Sequence, residues 1–249
     1  MTQLSDDASR TSQPGLPAQA SVVREMVLDT DAAPVAAYRI IRTNETDAYD
    51  NTEEREFTVA PRSPDSYAGT SRKAAKLSIA DAPLEAFDDL KRLVASLTPD
   101  KTMIAHKPPI TTGATSDRVA EEKRNVRVRA FLYAASKEAD NDFHLIIGSD
   151  PQAKPITCLT MELSGLPPSR SRSYRKLKQA RDAFKQFFGT QVPGMTYDFY
   201  NPPIPVEIEG SLFFDMTHST GQRPGPQSLK PFIPTIWEVH PITSIKLEP

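Results

Sequence analysis

The chain has a single cysteine, Cys158, so no disulfide can form within it and its core must hold without cross-links. A reducing compartment suits such a chain, and a cytoplasmic location is expected. Glycine is scarce, at 10 residues in 249, and no glycine-rich phosphate loop, dinucleotide fingerprint or Gly-x-Ser-x-Gly turn occurs. No apolar run approaches the roughly 20 residues that a membrane helix needs. Residues 1–17 are polar throughout, so neither a secretory leader nor a membrane partner is expected. Charge of neither sign dominates: 30 Lys+Arg face 32 Asp+Glu, a net of −2, and no global field advertises a polyanion or a bilayer.

Proline, by contrast, is plentiful at 23 residues and clusters between apolar runs, where it stiffens loops and ends strands. Residues 1–34 are rich in Ser, Asp, Ala, Gln and Pro without apolar periodicity and read as a disordered tail. Residues 35–100 read as a small α+β extension, with strands expected at 35–42 and 56–60. A helix is expected over 83–97, where Leu84, Phe87, Leu90, Leu93 and Val94 recur at helical spacing behind Asp81. Residues 101–122, with Pro108-Pro109 and a Thr/Gly/Ser tract, read as a linker.

From Lys123 the period changes to two. Residues 125–135 set Val126, Val128, Ala130 and Leu132 against Arg127, Arg129, Phe131 and Tyr133. Residues 142–148 and 155–163 alternate in the same way. Residues 169–188 then carry a stripe of Tyr174, Leu177, Phe184 and Phe188 opposite a face of Arg and Lys, with Gly189 as a stop. The proline-rich 201–205 reads as a loop, and strands follow over 206–216 and 236–247, separated by a Gly/Pro-rich loop. The expected class is therefore mainly β with helices: an OB-like five-stranded barrel of order β-β-β-α-β-β over 123–249, preceded by the α+β extension. An open α+β sandwich shares the same strand list.

Three of the four histidines stand beside carboxylates on these strands, in DNDFH (140–144), DMTH (215–218) and EVH (238–240). The segments DNDFHLII, GSLFFDMTH and WEVHP resemble those of a poorly characterised group of bacterial OB-fold-like proteins. That group shares an Asp-x-Asp-x-His strand, a Gly-x-x-Phe-Phe-Asp-x-x-His strand and a Glu-x-His-Pro strand. The resemblance covers roughly residues 103–247 and implies a barrel and a shared site, without an activity; the 219–234 loop is longer here than is usual in the group.

Three functions are compatible with these residues. The first is a binding module for a small anionic ligand, a nucleotide or single-stranded nucleic acid, needing no cofactor. Arg127 and Arg129 would neutralise phosphate, Phe131 and Tyr133 would stack on bases, and Asp142, His144 and Glu162 would hydrogen-bond. The second is a metal-assisted hydrolase acting on phosphoesters, with a divalent ion on His144, His218 and His240, and Asp215 or Glu238 as orienting group or base. The third is a scaffold in which the disordered start and helix 83–97 mediate assembly and the polar barrel residues are structural. Whether the protein is an enzyme, and its oligomeric state, stay open at this level. Cys158 alternates with core residues and reads as buried rather than nucleophilic.

Overall fold

The computed structural model describes residues 21–26, 38–46, 63–220 and 223–248. Most of the polar opening tract and the strand expected at 56–60 lie outside these residues. Before the long strands come β1 (Ser21–Met26), β2 (Tyr38–Arg42), α1 (Lys73–Lys76), β3 (Leu84–Phe87), α2 (Leu90–Ala95) and α3 (Asp100–Ile104). Then follow β4 (Asn125–Lys137), β5 (Phe143–Gly148), β6 (Cys158–Leu163), α4 (Tyr174–Phe188), β7 (Asp198–Phe214) and β8 (Trp237–Leu247). The protein is thus mainly β, built on one mixed sheet with few helices, and among the described residues no helix is long and apolar enough to cross a membrane.

The sheet turns on β4. Its inward residues Val126, Val128 and Leu132 are buried, while Arg127 and Arg129 look outward, as the two-residue period requires. One edge of β4 pairs antiparallel with β5 and the other with β7. The pairings run β4–β5–β6–β8–β7 and return to β4; β6 and β8 are parallel, the others antiparallel. The register on β4 shifts at Tyr133 on both sides, where a bulge lets the strand bend. At that point β7 passes from Ile204 opposite Leu132 to Phe199 opposite Ala134. Pro202 and Pro203 occupy the unpaired step, where a missing N–H costs no ladder bond. The 201–205 stretch is therefore strand with a bulge rather than loop.

Inside the circuit, Leu145, Ile147, Leu159, Met161, Leu212, Phe214 and Val239 meet Phe184 and Phe188 from α4. Each of those phenylalanines is almost fully buried, worth roughly 1.5–3 kcal/mol apiece. Leu90, Leu93, Met103 and Ile110 join the same core, so residues before 123 complete it.

The helix expected over 83–97 divides in two. Leu84–Phe87 runs parallel to β4, with Leu84 opposite Asn125, and helix α2 starts only at Leu90. Asp89 decides this: its carboxylate accepts from the Arg92 N–H at 2.9 Å and caps the helix six residues after Pro83. The stretch expected as a linker is packed and ordered by two interior charges, Arg118 and Glu122.

The outer face of β5, β6 and β8 is not left to solvent. Segment 63–80 and loop 223–236 lie over it. Gly165 makes the first approach possible, since a Cβ there would meet the Tyr67 backbone at 2.6 Å. Ile233 and Leu229 of the second segment pack with Ile146, Tyr133, Tyr197 and Phe199.

Candidate metal centre

Three neighbouring strands bring the site together. His144 on β5 stands directly opposite Glu162 on β6, and Thr160, two residues before Glu162, stands beside Glu238 on β8. With a period of two, His144, Glu162, Glu238 and His240 share the outer face. Asp142 enters from the turn that precedes β5. That turn is fixed by Asn141 in the left-handed region (φ 75°), by the Glu138 N–H donating to the Asp142 carbonyl at 2.8 Å, and by Ala68 N–H on the Asp140 carbonyl at 2.8 Å.

His240 is fully enclosed, with a carboxylate at each ring nitrogen. Its Nδ1 lies 2.8 Å from Glu162 Oε2 and 3.7 Å from Glu238 Oε2, and its Nε2 lies 3.4 Å from Asp142 Oδ2. None of these contacts is aligned as a hydrogen bond. Among the described residues no hydrogen-bond partner exists for either ring nitrogen, for Asp142 Oδ2, for Glu162 Oε2 or for either oxygen of Glu238. The other Asp142 oxygen accepts the Gly165 N–H at 2.5 Å. The His144 Nδ1 hydrogen-bonds Glu138 Oε1 at 2.7 Å and the Tyr197 hydroxyl at 3.2 Å. Among the described residues two sets of potential ligand atoms result, Asp142–Glu162–His240 and Glu138–His144–Glu162, each set within 4.8 Å of one another.

Burial pushes the Asp142 carboxyl far up, helped by the negative charge of Asp140 and Glu162. Glu238 is pushed up by burial and by Glu162 and Asp215. Burial pushes Glu162 up too, but His240, Lys76 and His144 outweigh it and hold it well below the usual carboxylate range. Burial lowers His240, against the pull of Glu162. The Lys76 ammonium acts on Asp142, Glu162 and Glu238 alike.

The positive groups behind the site are committed to the fold. Arg72 and Glu122 form a buried two-pronged pair at 2.7 and 2.8 Å. Arg72 also covers the Phe213 ring, which in turn packs against His240 with centroids 5.4 Å apart. Arg118 donates to the main-chain carbonyls of Leu212, Ala75, Ser78 and His240, and burial lowers its guanidinium to about 10.

Of the residues expected in a metal site, His144, Glu238 and His240 come together, joined by Asp142 and Glu162 from the expected ligand-binding set. Asp215 and His218 form a separate pair, 3.5 Å apart, at the end of β7. Asp215 caps a short turn by accepting from Thr217 N–H at 2.9 Å and from its hydroxyl at 2.7 Å. Burial raises its pKa, but His218, Lys76 and these bonds outweigh that and hold it down. The expected stacking platform is differently disposed. Arg127 and Arg129 pair across the ladder with Glu209 and Glu207, at 2.5 and 3.2 Å. Phe131 is half-buried, and Tyr133 is buried with its hydroxyl donating to the Ser149 carbonyl at 2.9 Å. Cys158 is buried, its thiol pushed up to about 12.

Sequence reasoning missed Glu138 and Lys76. Glu138 carries a weak signal, as the first acid of the turn leading to His144. Lys76, in a four-residue helix far upstream, carries none. Comparison with protein-family models, curated proteins and solved structures gives no match for this chain.

Proposed function

We propose that this protein is a metal-assisted hydrolase of phosphoesters, with an OB-like barrel as scaffold and a divalent ion held by Asp142, Glu162 and His240. The barrel reading is supported by the closed circuit of pairings, the parallel β6–β8 contact and the position of α4 between β6 and β7. One observation carries the metal: a buried imidazole with carboxylates at both nitrogens and no aligned hydrogen bond to either. Two carboxylates and an imidazole are a common ligand set for a divalent ion. Three carboxyl groups buried side by side are also a costly arrangement that a dication relieves.

The ion would acidify a bound water and polarise a phosphoryl oxygen. Glu238, 3.7 Å from His240 and without a hydrogen bond of its own, is placed to take the proton from that water. A groove of about 810 Å³ at the start of α4, lined by Arg172, Arg175 and Lys176 together with the Lys178–Asp182 pair, would draw an anionic substrate. That groove is tied to the residue after Lys76 by the Ser173 hydroxyl, which donates to the Leu77 carbonyl at 2.6 Å. Nothing comparable supports the stacking platform, whose cations are already matched by Glu207 and Glu209.

The test is calorimetric titration of metal-stripped protein with Mn²⁺ and Zn²⁺, followed by hydrolysis of a chromogenic phosphodiester. Native protein should bind and turn over. His240→Ala should lose at least 100-fold in affinity and its metal-dependent rate, while the Trp237 emission of the fold persists. A wild-type chain that takes up neither ion sinks the proposal.

A further inference from the structure

The two ligand sets meet at one residue. Glu162 belongs both to the enclosed set, with Asp142 and His240, and to the set with Glu138 and His144. A carboxylate has two oxygens and can ligate a different ion with each. Glu162 is suited to this: it is 4 % exposed, its Oε2 has no hydrogen-bond partner, and it lies on β6 between His144 of β5 and the β8 histidine. We propose that the site takes two divalent ions, with Glu162 bridging them and Glu138 and His144 completing the second position. This rests on the metal reading above and extends it to a two-ion centre, in which the ions sit roughly 3.5–4 Å apart.

The two positions differ in access. Asp142 and His240 are sealed from solvent, whereas the Glu138 side chain is 23 % exposed. The second position is therefore the one nearer solvent, through which substrate would enter, and the first lies behind it. An ion entering there would replace the 2.7 Å hydrogen bond between His144 Nδ1 and Glu138 Oε1, with His144 ligating as the neutral imidazole and keeping its one proton on the ring nitrogen turned away from the ion. Paired ions of this kind hold the attacking and the leaving oxygen of an in-line displacement, which is the chemistry of phosphodiester cleavage.

The experiment counts ions and asks whether they touch. Stripped full-length protein is titrated with Mn²⁺, the bound metal is measured by elemental analysis, and the electron paramagnetic resonance spectrum is recorded. Glu138→Gln serves as the variant, because it keeps the size of a part-exposed side chain, with circular dichroism confirming the fold. Two ions with an exchange-coupled spectrum in the native chain, falling to one uncoupled ion in Glu138→Gln, are the expected result. One ion in the native chain overturns the two-ion centre and leaves the single-metal reading standing; no ion overturns both. Two uncoupled ions, or two ions retained by Glu138→Gln, overturn the shared position.

Discussion

At the scale of single residues, the protein concentrates charge where most proteins avoid it. Arg72 and Glu122 are almost fully excluded from solvent, and Arg72 also donates to the main-chain carbonyls of Phe214 and Asp117. The Glu122 carboxylate also accepts the N–H groups of Phe214 and Val119, both at 2.8 Å. It thereby joins the end of β7 to the chain before β4. Removing one member leaves the other charge buried and unanswered, which outweighs any gain in desolvation. Glu122→Gln should lower stability by roughly 3–5 kcal/mol, read from urea unfolding followed by Trp237 fluorescence. A loss below about 1 kcal/mol, the range of an exposed pair, would show that water reaches this pair. None of these partners was visible in the sequence, because Arg72, Glu122 and Phe214 are separated by 50 and 92 residues and share no periodic pattern.

At the scale of elements, alternation and helical spacing located β4, β5, β6, α4 and β8 closely, since each buries one face and exposes or differentiates the other. They placed His144, Glu162, Glu238 and His240 on common faces for the same reason. They did not divide 83–97 into β3 and α2, because the cap at Asp89 and the pairing with β4 overrode a helical run of apolar residues. Nor did they separate Arg181 from the solvated cations of α4. Arg181 is buried, stacks over the Phe143 ring at 4.4 Å and donates to the Leu163 carbonyl at 3.1 Å and to Asp65 at 3.1 Å. Lys185 reaches Asp65 as well, at 3.0 Å. Burial raises the Asp65 carboxyl, but the bonds from Lys185 and Arg181 outweigh it and hold its pKa below the ordinary 3.8. A carboxyl depressed on folding adds stability that is fully present above its unfolded pKa and is lost as pH falls through the folded one. The contribution of Asp65 should thus be constant from pH 7 to about 4.5 and decline below about 4. Asp65 is a third exposed, so screening keeps its share to about 1 kcal/mol. Asp65→Asn should show that deficit at pH 7 and converge on the native chain near pH 2.5, in parallel urea titrations. A deficit unchanged by acid would assign the loss to packing instead.

For the molecule as a whole, composition suggested a division near residue 100, with an extension, a linker and a separate β domain. The packing joins these parts. Leu90, Leu93, Met103 and Ile110 lie in the same core as Val126, Leu145 and Trp237. The Trp237 indole N–H donates to the Thr98 carbonyl at 2.7 Å, and Asp100 holds Ile236 N–H, Thr235 Oγ1 and Arg223. Segment 63–80 covers the candidate site and places Lys76 against it. A linker-like composition is no guide here, because a few buried residues among polar neighbours are enough to tie such a stretch to a core. A fragment of residues 101–249 would lose the Thr98 acceptor, the Leu90 and Leu93 side chains and the Lys76 charge together. Burying two leucines alone contributes roughly 3–6 kcal/mol, comparable with the whole stability of a domain. The fragment should therefore lack the near-ultraviolet dichroism of a fixed Trp237, while the full chain unfolds in one transition by fluorescence and far-ultraviolet dichroism. If the fragment keeps a native Trp237 signal and its own cooperative transition, the carboxy-terminal strands fold without their cover. Glu162 and His240 would then assemble independently of Lys76.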